Sequence, residues 1–220
     1  MHNAKCTMQK GRRRLGRIPF FLHFAVCIVN YAAVSAQQPL DRVMARIGSN
    51  AVTLTDVKAA VGLGLVDAKS PDDSSALSLA IDRQVMLIEV ARFPPAEPSD
   101  VAINQQVEAM RKHAGAALPE LMKSTGLDEG RLRDLARDTL RIQAYIMQRF
   151  GATANVGEDD ARRYYDDHKD QFTRNGQLMP FDDVLAEARK LASAAKLQDS
   201  IAQWVRDLRM RSEVVIVRTK

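Results

Sequence analysis

Cysteine is almost missing from this chain. The 220 residues hold two, Cys6 and Cys27, so beyond residue 27 neither a disulfide nor a catalytic thiol can be part of the design. Histidine is nearly as scarce past the first 36 residues: only His113 and His168 remain, in unrelated contexts. No Gly-x-Ser-x-Gly elbow accompanies them, so a Ser-His-Asp type of nucleophilic centre has no parts to be built from. "GLGL" at residues 62–65 lacks both the spacing and the lysine of a phosphate loop. Aromatics are few, and in the same region they are Phe93, Tyr145, Phe150, Tyr164, Tyr165, Phe172, Phe181 and Trp204. Aliphatic side chains and methionine must therefore fill the core. No catalytic residue, cofactor or metal is expected. Glu158, Asp159, Asp160, Asp167 and His168 could be drawn as a metal set. Acids in a first helical turn read more simply as a solvated face that compensates the helix dipole, and His113 reads as a dipole partner at a helix end.

An excess of positive charge is also lacking once the N-terminus is set apart. Residues 1–17 carry Lys5, Lys10, Arg12, Arg13, Arg14 and Arg17 and no acid, residues 18–34 are largely apolar, and Val34-Ser35-Ala36 supplies small residues. That is the pattern of a secretory leader, so export with cleavage after Ala36 is expected, to the periplasm; an uncleaved inner-membrane anchor is the alternative. The leader holds six of the 32 basic residues, which leaves 26 against 27 acidic ones. A basic nucleic-acid footprint is thereby excluded, and the leader is the only membrane contact expected. Residues 37–220 are enough for one domain with a core of its own.

Val43–Ile47 and 51–53 read as a small hairpin around Gly48-Ser49-Asn50. Thr55 follows as a helix N-cap, with Asp56 in the first turn. The next helical pattern, 75–93, is apolar nearly all round, with a polar strip of Ser78, Asp82, Glu89 and Arg92. Ser99 caps a helix reaching about His113, and 119–124 is a short helical turn. The helix over 128–150 shows two apolar faces: Leu132, Leu135, Ile142, Ile146 and Phe150 on one, Ala136, Leu140, Ala144 and Met147 on the other. An acidic, aromatic helix ends at Phe172, residues 173–179 form a polar loop, and Pro180 opens a long helix from Phe181 to about Met210. Val214–Val217 is a lone strand. It needs a partner for its backbone groups, and the N-terminal hairpin is the only candidate. The expected fold class is mainly α, with a small antiparallel sheet joining the N-terminal hairpin and the C-terminal strand.

In order, "DRVMARIGSNAVTLTDV", "ALSLAIDRQVMLIEVAR", "PSDVAINQQVEAMRKHAG", "LPELMKSTGLDEGRLRDLARDTLRIQAYIMQRF" and "VGEDDARRYYDDHKDQF" resemble the N-terminal domain of SurA-type periplasmic chaperones. "PFDDVLAEARKLASAAKLQDSIAQWVRDLRMRSEVVIV" is similar to that family's C-terminal helix and strand. The resemblance implies an N-terminal core over 37–172 and a C-terminal helix and strand over 181–220. Family members carry parvulin-type prolyl isomerase domains between these parts; here the interval is "TRNGQLM", and residues 173–180 form a loop in place of that domain. The implied function is an ATP-independent chaperone without isomerase activity. It would bind unfolded envelope or outer-membrane polypeptides in an apolar groove between the N-terminal helices and the long C-terminal helix. The alternatives are a structural or adaptor protein with one fixed partner, self-association as a homodimer included, and a peptidyl-prolyl isomerase-family foldase.

Methionine suits a surface that accepts many apolar sequences, and Met86, Met110, Met122, Met147, Met179 and Met210 are spread over several helices. Ordinary core filling is the plainer reading of each one singly. The residues expected to touch a client are Met86, Met110, Met122, Leu140, Met147, Phe150 and Trp204.

Overall fold

The computed structural model describes residues 41–152 and 154–217. The expected leader and its cleavage point lie outside them, as do Thr153 and residues 218–220. The described residues form one unit, mainly helical, with a three-stranded antiparallel sheet. None of the described helices is long and apolar enough to cross a membrane.

Strands β1 (Val43–Ile47) and β2 (Asn50–Thr53) pair antiparallel, Ile47 opposite Asn50 and Ala45 opposite Val52, with an irregularity between Val43 and Ala45. The chain enters α1 (Leu54–Gly62) through Thr53 rather than Thr55. The reason is reciprocity. Thr53 keeps an extended backbone, its hydroxyl accepts the Asp56 N–H at 3.2 Å, and its own N–H donates to the Asp56 carboxylate at 3.0 Å. A cap at Thr55 would place Lys58 at the answering position, where no acceptor exists. Thr55 binds the Asp41 carboxylate instead. Thr53→Ala is expected to cost about 1 kcal/mol, read as a lower urea midpoint with an unchanged slope.

Four helices follow: α2 (Ala76–Arg92), α3 (Asp100–Ala114), α4 (Leu118–Thr125) and α5 (Glu129–Phe150). Ser99 and Asp128 accept N–H groups of the first turns of α3 and α5, from Ala102 and Arg131. Next come α6 (Glu158–Asp167) and a 3-10 turn that ends at Phe172. The expected loop after it is a second hairpin: β3 (Thr173–Arg174) and β4 (Gln177–Leu178), joined by Asn175-Gly176. Both turn residues have positive φ, 52° and 80°, as a type I′ turn requires, and Asn-Gly supplies that at low cost. The Tyr165 hydroxyl donates to the Met179 carbonyl at 2.6 Å and seats the hairpin on α6.

The last helix, α7 (Phe181–Arg211), has 31 residues and so spans about 46 Å at 1.5 Å per residue. It returns the chain to β5 (Val214–Ile216), which pairs antiparallel with β1 and gives the strand order β2-β1-β5. The sheet joins the two ends of the described chain, as the sequence requires.

Three apolar clusters hold these parts. The first joins the sheet, α1, α2 and the C-terminal halves of α5 and α7 through Ala45, Val52, Ile81, Val85, Ile142, Tyr145, Trp204 and Leu208. A second packs α3 and α4 on the first half of α5, and a third packs α6, its following turn and the first half of α7 around Phe172. Most of the polar strip of α2 is covered, although Arg92 stays exposed. Arg209 of α7 meets Asp82 at 2.7 Å and donates to the Ser78 carbonyl and hydroxyl at 3.0 and 3.1 Å, while Glu89 is buried beside Arg92. The contacts of Arg209 bolt α7 onto α2.

Candidate functional site

A cleft of about 860 Å³ opens between β2, α1, α2, the turn before α5 and α5 itself. Its apolar wall comes from Leu65, Leu87, Ile88, Leu127 and Leu135. Its charged groups are Asp56, Asp128, Asp138, Arg83, Arg131 and Arg141, with neutral polar groups such as Asn50, Thr55, Gln84 and Thr125 among them, and Ala51 forms one border. The packing of α2 against α5 sets this composition: α2 brings Arg83 to the cleft, and α5 brings Arg131, Asp138 and Arg141.

Arg83 is only 8 % exposed. Its guanidinium donates to Thr139 Oγ1 at 3.0 Å and to the Leu135 carbonyl at 3.3 Å, so it bridges α2 to α5 through neutral acceptors. Burial disfavours its charge and pulls its pKa down, the nearby Asp138 carboxylate pushes back, and Arg131 adds a small repulsion. Burial likewise raises the Asp138 pKa, against the pull of Arg83, Arg141 and Arg131. Among the described residues Asp138 accepts no hydrogen bond and has no ion-pair partner within 4 Å; its compensation is long-range only. Arg131 has Asp56 at 4.0 Å. The Nε of Arg141 is buried with no partner among the described residues. Three guanidiniums, of Arg83, Arg131 and Arg141, and three carboxylates, of Asp56, Asp128 and Asp138, therefore line the cleft, and Arg83 and Arg141 both act on Asp138. Such groups are costly to bury unless a further partner meets them.

The seven residues expected to meet a client do not lie together, and none lines this cleft. Met110 and Trp204 are buried, 1 % and 4 % exposed, and fill the second and first clusters; as core residues they offer no surface to a client. Met86 and Phe150 are half-buried against the first cluster, Met122 and Leu140 against the second. Met147 alone is open, 60 % exposed. The second face of α5 thus has two fates: Ala136 and Leu140 pack in the second cluster, while Ala144 and Met147 face solvent. The groove expected beside the C-terminal helix also moves. Trp204 and Leu208 seat α7 directly in the core, and the opening lies on the α1, α2 and α5 side instead.

Arg83, Asp138 and Arg141 were not among the expected site residues, although the helical rows reveal two of them. Arg83 stands on one row with Ala76, Ala80, Leu87 and Val90, and Asp138 on one with Leu135, Ile142 and Tyr145. A charge within an apolar row is the signal of a buried, partnered group. Among the described residues no cluster of three or more His, Cys, Asp or Glu is arranged to hold a metal. The chain matches no protein-family model, no curated protein and no solved structure.

Proposed function

We propose that this chain is an exported, SurA-like chaperone without an isomerase domain. It holds unfolded envelope or outer-membrane polypeptides by reversible burial, with no nucleotide and no covalent step. The observation that carries the reading is the cleft on α1, α2 and α5. Its volume falls in the range of about 300–1,000 Å³ typical of ligand sites, and aliphatic walls surround a few convergent polar groups. The sequence order that resembles the chaperone family supports the same reading, and so does the two-residue turn at the position where members of that family carry a catalytic domain.

The test is light scattering of an unfolded β-barrel client diluted into buffer over a concentration series of this protein. Suppression near equal molar amounts, without ATP, is expected. Aggregation unchanged at large molar excess ends the reading. In parallel, a proline-limited refolding rate is expected to stay at its uncatalysed value.

The outer edge of β5 favours a second reading, a fixed partner. Hydrogen bonds from Gly48 N–H to the Glu213 carbonyl and from Val217 N–H to the Met44 carbonyl set the register. Val214 and Ile216 therefore turn their backbone groups away from β1, and the Val215 and Ile216 side chains are exposed. Such an edge can accept a strand from another chain, a second copy included. One saturable partner in pull-downs, with no affinity for assorted unfolded peptides, would favour it over the chaperone reading.

A further inference from the structure

We propose that the outer edge of β5 pairs with a second copy of this chain, through an antiparallel β5–β5 contact about a two-fold axis at Val215. This rests on the fixed-partner reading above and names the partner.

The surface comes first. Of the eight large apolar side chains exposed among the described residues, four stand within one short stretch, Met210, Val215, Ile216 and Val217. The sheet ends in β2 on one side and β5 on the other. Beside β2 the ladder is irregular between Val43 and Ala45, and the Thr53 N–H is taken by the Asp56 carboxylate. β5 is short, yet it has no charge, no proline and no bulge, the features that keep an edge from pairing.

The two faces of the edge then select what covers it. Ile216 lies opposite buried Ala45, on the face turned to the core, and Val215 lies opposite exposed Arg46, on the outer face. Both are more than half exposed, 56 % and 51 %. A covering strand must therefore bring apolar side chains to both faces. The alternating strand of a β-barrel client is apolar on one face only. β5 itself, Val-Val-Ile, is apolar on both.

The register agrees. Val214 and Ile216 point their backbone groups away from β1. Antiparallel pairing about Val215 sets Val214 against the second copy's Ile216, and the reverse, and each such pair exchanges two hydrogen bonds. The two Val215 side chains then oppose one another at the axis, in the non-hydrogen-bonded position where side chains come closest. Glu213 meets the second copy's Val217, so no like charges are opposed. A register shifted by two residues would send Val214 or Ile216 to a partner outside the strand. The contact is self-complementary, as a two-fold interface requires, and it leaves β2 and the cleft beside it free in both copies. It is also small, so a reversible dimer with a dissociation constant in the micromolar range is expected.

The experiment is sedimentation equilibrium of the full chain over a concentration series, with Val215→Lys and Val215→Glu run alone and mixed. The unaltered chain is expected to pass from monomer to dimer. Each variant alone is expected to dimerise at least about tenfold more weakly, because like charges meet at the axis. The mixture is expected to regain the lost affinity, because the lysine of one copy opposes the glutamate of the other. Ile216→Pro removes an outward N–H, spares the bonds to β1, and is expected to weaken the dimer as well. Circular dichroism confirms that each variant is folded.

A dimer equally tight in all the variants, or a mixture no tighter than its components, overturns the β5 assignment. A chain that stays monomeric up to about 1 mM overturns the self-pairing outright. If that monomer still captures one saturable partner, and Val215→Lys loses it, the fixed-partner reading stands without this inference. If it instead binds unfolded barrel peptides through the same residue, the edge belongs to clients. If it binds neither, the inference and the fixed-partner reading fall together.

Discussion

Trp204→Ala is expected to cost about 3–5 kcal/mol, a large share of the roughly 5–15 kcal/mol that holds an ordinary domain together. Trp204 is nearly sealed, stacks on Tyr145 at 5.4 Å between ring centroids and meets Phe150 at 5.7 Å in a tilted arrangement. It is the contact through which α7 reaches α5, and its cluster also contains Leu208 and the inward faces of β1 and β2. Truncation empties a volume that the helices cannot close without moving the sheet. The damage should therefore spread to the strand pairing that α7 delivers. Hydrogen exchange should quicken at Val217 N–H and Gly48 N–H, which bond across the β1–β5 pair, before it quickens around Phe172 in the distant third cluster. Trp204→Phe should cost less than half as much. It keeps most of the ring contact and removes an indole N–H that has no acceptor among the described residues. A loss below about 1 kcal/mol for the alanine variant would show that α7 is held chiefly by Arg209 and the strand, not by this cluster.

The same cluster explains how far the fold could be read from the residues alone. A lone C-terminal strand cannot satisfy its own backbone, so its return to the N-terminal hairpin followed from counting hydrogen-bond groups, and β5 pairs with β1. The helices followed from apolar rows and from the cap at Ser99, while Asp128, read only as the first residue of its helix, proves to be a cap as well. Two local features were misjudged because a pairwise condition was missed. Asp56 answers Thr53 and not Thr55, and Asn175-Gly176 is a hairpin turn rather than a plain loop.

The site was much less legible. Exposure is a property of how helices meet, so periodicity could mark Met110, Trp204 and Met147 as apolar but could not say that the first two are sealed and the third is open. The cleft depends on α2 and α5 crossing so that Arg83 and Asp138 approach, and no spacing within either helix encodes that crossing. What the sequence did hold was the anomaly of each charge in its row. Asp82 precedes Arg83 and lies one helical step round, against Arg209 of α7. Adjacent charges in the most apolar helix thus serve two interfaces, one structural and one open.

Arg83→Ala is expected to cost on the order of 2–4 kcal/mol at neutral pH. The change removes two bonds that cross from α2 to α5, to Thr139 Oγ1 and the Leu135 carbonyl, and leaves a hole at the back of the cleft. It also withdraws one of the three arginines that offset the burial of Asp138. The folded pKa of Asp138 already stands above its ordinary value of 3.8, so the folded protein holds this proton more tightly than the unfolded chain does. Stability from this group is therefore greatest in acid and falls as pH rises from about the ordinary carboxylate value through the raised folded one. Without Arg83 the folded pKa climbs further, even with Arg141 and Arg131 still nearby and Asp134 adding its repulsion. The deficit of the variant should accordingly be largest at neutral pH. It should shrink as Asp138 becomes protonated in both states, which leaves only the lost bonds and the hole. Asp138→Asn in the Arg83→Ala background should recover part of the loss at pH 7 and almost none at pH 3, measured as urea midpoints at the two pH values. Equal deficits at both, with no recovery by the double variant, would mean that the arginine and the carboxylate do not act on one another, and the cleft would then owe its shape to packing alone.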